Sequence, residues 1–444
     1  MAGASLPPSR GLTATPILVA MAAGAVAGWL LGSAGSWGAY ILSLCDVLGT
    51  LFINMLKMVV VPLISASIIT GVASLGSGRD LGRLGLKTLS FYIVTTLLAV
   101  LTALTLVNLV KPGIVNGEPA KALLALETQA ADVTAAVQGH ASTGVLETLV
   151  GAVPANIIEA AAGNKLLGVM FFSILFGFFL ARIEMPYRQV VSDFWQGLFR
   201  VMMRITEFVM KLAPVGVFGL TARVIAKSGL HAAGPILQFG ACVAAGIVFY
   251  AVIVLPLLMR LIGIAHPYRL FGAMSSALAT AFSTASSAAT LPLSLECLEK
   301  RAHVSERIAS FVMPLGTSIN HVGSALYECA GAMFLCQAYG LHLSFGQQFT
   351  VVTLALITSM GVAGIPAASL VAIAVILNAI GLPTEGVGVL LVLDRLLDMA
   401  RTALNVFADA ACSVIVARLE GETGVLANVR TSTSTSDVAP RVES

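Results

Sequence analysis

Charge is scarce in this chain. Only 11% of its 444 residues are Asp, Glu, Lys or Arg, against about 25% in soluble domains. That excludes a water-facing globular protein, and a net charge of +3 is too small for a nucleic-acid binder. Cysteine is rare as well. Cys45, Cys242, Cys297, Cys329, Cys336 and Cys412 lie in or beside apolar segments without metal-ligand spacing, which argues against a zinc site or a disulfide framework. No glycine-rich P-loop occurs, so ATP does not drive a cycle directly. Alternating ten-residue segments are also missing, and with them a membrane β-barrel.

What fills the chain instead is apolar: 57% of residues are hydrophobic and the mean hydropathy is +0.94. A helical span needs about 20 such residues, and several runs qualify, so the sequence predicts an all-α polytopic membrane protein of the cell's inner or plasma membrane. Apolar segments fall at about 14–35, 41–75, 85–110, 150–182, 192–225 and 233–264. The basic connectors around Arg10, Arg79–Arg83–Lys87, Arg182 with Arg188, Arg260 with Arg269, and Lys300–Arg301–Arg307 are expected to be cytoplasmic, and the stretch 111–150 external. Residues 1–13 read as a cytoplasmic N-terminus, and 421–444, with its TSTSTS run, as a disordered tail.

The pattern changes after residue 265. Segment 268–298 is interrupted by AFSTASSAATLP, and the helix at 306–338 by GTSIN at 316–320. The segment 348–381 is then interrupted by SMGVAGIPAAS. Two successive units thus each read as a broken hydrophobic hairpin followed by a polar-interrupted helix, the pattern of inverted-repeat transporters with a midplane site. Irregular backbone is tolerated there only where it lines a cavity or is buried in protein.

The last helix carries the sharpest signal. Asp398, Arg401, Thr402, Asn405 and Asp409 are spaced i, i+3, i+4, i+7, i+11, and Asp394 extends the same stripe by one turn. A charge at mid-membrane costs about 2.5–3.5 kcal/mol on insertion scales, so four cost on the order of 10 kcal/mol. Such a stripe belongs at an interior, water-accessible site. A structural Asp398–Arg401 pair would leave the Asn and two further acids unexplained. Charges of both signs favour a transporter over a channel with a single-sign ring. An intramembrane hydrolase assembled from Ser286, His321 and Asp398 would lack a nucleophile motif and leave the paired hairpins without purpose, so no enzyme is expected.

Several motifs occur in order: NMLKMVVVPLISASIITGVASL at 54–75, FYIVTTLLAV at 91–100, STASSAATLP at 283–292, PLGTSINHVGSALYE at 314–328, SMGVAGIPAAS at 359–369 and DRLLDMARTALNVFADA at 394–410. Through them the chain resembles the dicarboxylate/amino acid:cation symporter family, the glutamate transporter homologues, over about 14–420. The resemblance implies eight transmembrane helices plus two re-entrant hairpins, at about 268–298 and 348–381. It also implies a homotrimer in membrane lipid working as an elevator, with a scaffold of about 14–75 and 150–225 and a moving domain of about 85–110 and 233–420.

The resemblance further implies residue roles. Arg401 would read the substrate's side-chain carboxylate, for which a planar guanidinium fork is chemically suited. Asp398 would accept its ammonium, with Thr402 assisting. Asn405, Ser286 and Ser287 would hold the α-carboxylate and Ser324 would support the side chain. The tip Gly364–Ile365–Pro366 would close over the ligand. Having both Arg401 and Asp398 implies L-glutamate or L-aspartate, the alternatives being a C4-dicarboxylate or a neutral amino acid carrier, with an anion leak able to coexist.

Sodium is the implied cation, with no organic cofactor. One set is Gly316, Asn320, Asn405 and Asp409, rich in hard oxygen donors. A second is Ser318, Ser359, Met360 and Val362 through carbonyls. A third is Tyr92, Thr95, Thr96 and Asn320, but Val322 stands where the family carries an acid, so fewer than three sodium ions are expected. Glu328 matches the proton-carrying glutamate of proton-coupled members. His321, which adjoins Val322, is titratable near neutrality, although a packed His capping the unwound segment is the preferred reading. Ala285 and Met399 replace a second arginine, which weakens any case for potassium counter-transport.

Overall fold

A computed structural model describes residues 14–32, 35–73, 79–124, 126, 153–163, 166–228, 233–341, 343–361 and 368–426. They form α1 (Ala14–Gly32), α2 (Gly35–Ala73), α3 (Arg79–Val110), α4 (Ile157–Ala162), α5 (Leu166–Leu180), α6 (Tyr187–Lys211) and α7 (Ala213–Ser228). Then follow α8 (Ala233–Phe249), continued through a π turn at Tyr250–Val254 into α9 (Leu255–Leu261), and α10 (Arg269–Thr284) with α11 (Ser287–Lys300). The last are α12 (Glu306–Ile319), α13 (Val322–Ala338), α14 (Phe345–Gly361), α15 (Ala368–Ala379) and α16 (Val387–Leu419). The described sheet is one two-residue ladder, Ile114–Val115 with Glu118–Pro119, closed by Asn116–Gly117 with positive φ at both. Among the described residues four helices are long and apolar enough to cross a membrane, and the protein is a multi-pass membrane protein.

Packing falls into two groups. Helices α1, α2, α5, α6 and α7 lie chiefly against one another, and α3, α8 and α10–α16 against one another. In the first group, glycines at four-residue spacing let α1 approach the α7 backbone: a Cβ on Gly28 would sit 2.3 Å from the Ala222 carbonyl oxygen, and one on Gly24 2.6 Å from that of Phe218. Small residues at that spacing are how helices associate without a hydrophobic driving force. An Arg223–Asp46 ion pair adds a polar tie between α7 and α2. The second group holds most of the buried core, with Tyr250, Phe239, Phe334 and Phe407 fully buried in it.

Boundaries differ from the sequence expectation in three places. The segment expected at 192–225 divides at Leu212 into α6 and α7. The first hairpin loses only Ala285 and Ser286 from helix, far less than its Ser/Thr content suggests. The reason is local: Thr280, Ser283, Thr284 and Thr290 donate their hydroxyls to carbonyls four residues back, so the polar groups are absorbed by the helices themselves. Third, the segment after α16 does not leave the protein at residue 420. Glu420 pairs with Lys87 of α3, Glu422 accepts from the Ser305 backbone and hydroxyl, and Leu426 is buried with its N–H on the Ala302 carbonyl. Glu422 thereby occupies the start of α12, where free N–H groups favour a carboxylate. Expected tail residues 421–426 are therefore packed, and 427–444 lie outside the described residues.

Candidate functional site

The polar stripe of α16 faces inward. Asp394, Arg401, Thr402, Asn405 and Asp409 are all buried, and the Asp398 side chain keeps 19% exposure. The Arg401 Nη2 donates to Asp394 Oδ1 and Asp398 Oδ1, each at 3.0 Å. From α13, the Tyr327 ring lies under the guanidinium with its centroid 4.1 Å from Cζ. The Arg401 Nε and Nη1 are buried without a hydrogen-bond partner among the described residues. Leaving such donors unpaired is costly, so a buried planar cation with spare donors is suited to receiving a carboxylate. Tyr327 and Arg395 were not singled out from sequence. Arg395 Nη1 lies 3.5 Å from Asp398 Oδ2; its i+3 spacing to Asp398 was the available signal.

The break between α12 and α13 brings backbone to this stripe. It falls at Asn320–His321, the C-terminal end of the interruption expected at 316–320. The Gly323 N–H donates to Asn405 Oδ1 at 2.7 Å, and a Cβ on Gly323 would meet the Arg401 carbonyl oxygen at 2.7 Å. Four residues before the break, a Cβ on Gly316 would meet Asp409 Cγ at 2.4 Å. Glycine is what lets both helices approach α16. Asn320 Nδ2 donates to Asp409 Oδ1 at 2.8 Å, while Asp409 Oδ2 is buried without a partner among the described residues. Three members of the first expected cation set, Gly316, Asn320 and Asp409, thus meet, and Asn405 sits one turn earlier on α16. A buried carboxylate oxygen left without a partner, on a residue bonded to the Asn320 amide, fits a hard monovalent cation.

The third set is joined only in part. Thr96 Oγ1 donates to Asn320 Oδ1 at 3.3 Å. Tyr92 instead donates to the Val312 carbonyl at 2.7 Å, Thr95 donates to the Phe91 carbonyl, and Tyr250 takes the Thr95 carbonyl at 2.6 Å. Val322 is fully buried and brings no charge. Donating their hydrogens leaves these hydroxyl oxygens free to face a cation, but without a carboxylate in the set its charge would go uncompensated, and the set fits a cation poorly. In the second set, Ser318 is exposed and bonded to the Pro314 carbonyl, and Ser359 is buried and bonded to that of Leu356. Met360 lies in the last turn of α14, and Val362, like Gly364 and Ile365, lies outside the described residues.

Ser286 caps α11, accepting from the Ala289 N–H at 3.2 Å, with Ser287 buried beside it. Ser324 is half-buried in the first turn of α13. Glu328 is fully buried and accepts from Thr358 Oγ1 at 2.7 Å, which ties α13 to α14. His321 is buried at the α13 start, but its side chain makes no capping bond and its Nδ1 has no partner among the described residues. It packs as expected without performing the expected cap.

Comparison with known proteins finds relatives over most of the chain. The chain is 35% identical over 381 residues to a proton/glutamate-aspartate symporter of Escherichia coli (strain K12), covering 86% of each chain. It is 35% identical over 376 residues to a proton/sodium-glutamate symport protein of Geobacillus stearothermophilus, covering 84% of this chain and 87% of the relative. A C4-dicarboxylate transport protein of Anaeromyxobacter sp. (strain K) is 33% identical over 409 residues, 91% of this chain and 89% of its own. Residues 14–419 match the model of the sodium:dicarboxylate symporter family, and the chain belongs to that family.

Proposed function

We propose that this protein is a secondary active symporter that carries L-glutamate and L-aspartate across the membrane, coupled to sodium, to protons, or to both. The observation that carries the reading is Arg401: a buried guanidinium held by two carboxylates and an aromatic face, with two donors left over. Those donors bind the substrate's side-chain carboxylate as a fork. Asp398 takes the ammonium with Thr402, while Asn405 and the Ser286–Ser287 tip take the α-carboxylate. Ser324 supports the side chain, and the tip at Gly364–Ile365 closes the site.

Sodium is held by Gly316, Asn320, Asn405 and Asp409, where it supplies the charge that the Asp409 carboxylate needs in a dry interior. The carbonyls at Ser318, Ser359, Met360 and Val362 form a second site, and no third ion binds at Tyr92, Thr95 and Thr96. Glu328 carries the proton. Helices α1, α2 and α5–α7 act as the scaffold of a homotrimer; α3 and α8–α16 move as one body, with α10–α11 and α14–α15 as re-entrant hairpins. Support for that division comes from the two packing groups and from the bonds that tie α3, α10–α12 and α16 together through residues 420–426.

The test is uptake of labelled L-aspartate and L-glutamate into proteoliposomes, with sodium and proton gradients imposed separately. Uptake driven by at least one gradient is expected. Folded protein that accumulates neither amino acid under either gradient would overturn the reading.

A further inference from the structure

Resting on the substrate reading above, the geometry points to Arg395 as a specificity-determining residue, one that shifts the site toward dicarboxylates without an amino group. At about 100° per residue, Arg395 falls beside Thr402 at the edge of the α16 stripe, on the side where the ammonium is placed. Its Nη1 lies 3.5 Å from Asp398 Oδ2, while Arg401 takes Asp398 Oδ1. The pair is largely shielded, with 12% and 19% of the side chains exposed, so water screens it weakly.

Two consequences follow from the charges. Asp394 and Asp398 face Arg395 and Arg401, so the cluster is neutral where the three residues without Arg395 would leave one negative charge. An ammonium that approaches Asp398 must also share that carboxylate with two guanidiniums and is repelled by both. A dicarboxylate without the ammonium escapes that repulsion and, with one more net negative charge than aspartate, is drawn more strongly by Arg395. Asp398 alone therefore does not make the site selective for amino acids: its acceptor strength is partly spent within the helix. The existence of a similarly related C4-dicarboxylate transport protein agrees with a fold that accommodates such cargo.

The experiment measures binding of L-aspartate and of succinate separately to the purified full-length protein, in the wild type and in Arg395→Gln and Arg395→Lys. The wild type is expected to bind both. Arg395→Gln should raise the succinate-to-aspartate ratio of dissociation constants by about tenfold or more, through weaker succinate and tighter aspartate binding, and Arg395→Lys should hold the ratio within about threefold. Arg395→Met supplies the same uncharged comparison if the Gln form does not fold. A wild type that binds aspartate but not succinate, or a ratio unmoved by loss of the charge, overturns the role of Arg395 alone. A wild type that binds neither compound overturns the substrate reading and this inference with it.

Discussion

Helices α2 and α16 are both long enough to span a bilayer, at 39 and 33 residues, yet they live in different surroundings. Of the apolar window at the start of α2 only 22% is buried, against 83% of α16. Along α2, Trp37, Tyr40, Leu44, Val47, Leu51 and Met58 point outward, whereas α16 exposes only Leu396 and Leu419 among its large apolar side chains. Length and hydropathy say "membrane" of both. Polarity separates them: α2 shows apolar groups to lipid or to another apolar surface, and α16 turns its charges into protein. Lipid offers no hydrophobic reward for burying α16, so its place depends on close packing and on satisfied polar bonds.

Removing Arg401 breaks that contrast most directly. In Arg401→Ala, Asp394 and Asp398 face each other without their shared cation, and breaking a buried pair costs about 3–5 kcal/mol. Added to the lost fork, this should weaken L-aspartate binding more than about a hundredfold. Arg401→Lys keeps the charge but not the planar donors and should recover only part of the loss. Binding of labelled L-aspartate, with monodisperse elution as the check on folding, decides. Affinity within about threefold of wild type would mean that the α16 stripe is structural, no nearer to substrate than the outer face of α2.

How much of this was readable in the sequence follows from where each signal lives. The stripe was legible because a 3.6-residue period is a local property: Asp394, Asp398, Arg401, Asn405 and Asp409 are one helix face whatever packs on it. The break at Asn320–His321 was legible for the same reason, through Gly316 and the polar run beside it. What packs against the stripe was not legible. Tyr327 under Arg401, Tyr92 on the Val312 carbonyl and Thr358 on Glu328 join segments far apart in the chain, and nothing in either segment announces the other. Arg395 was overlooked because it stands at the stripe's edge, where only the reach of a long side chain brings it to Asp398. Residues 421–426 looked like the start of a solvated tail because they are polar and glycine-containing. The Glu422 carboxylate instead finds the first turn of α12, a partner that composition does not reveal.

Two glycine substitutions sharpen the comparison at lower amplitude. In Gly316→Ala the added methyl would meet the Asp409 carboxylate at 2.4 Å, so the carboxylate or the helices must shift. Overpacking of this kind costs about 1–3 kcal/mol, and here it displaces the carboxylate assigned to sodium. Sodium titration of L-aspartate binding should show apparent affinity reduced by about tenfold, and an unchanged titration would detach Asp409 from the cation. Gly71 in α2 is the counterpart with the smallest expected effect, because a Cβ there meets nothing within 4 Å. Alanine is the better helix former by about 1 kcal/mol, so Gly71→Ala should leave transport unchanged and thermal stability equal or slightly higher. If instead it lowered stability or dissociated the assembly in detergent, the open side of α2 would be a contact with a second copy of the chain. The outer face of α2 would then be as tightly specified as the inner face of α16, by a partner protein where the other is specified by ligand.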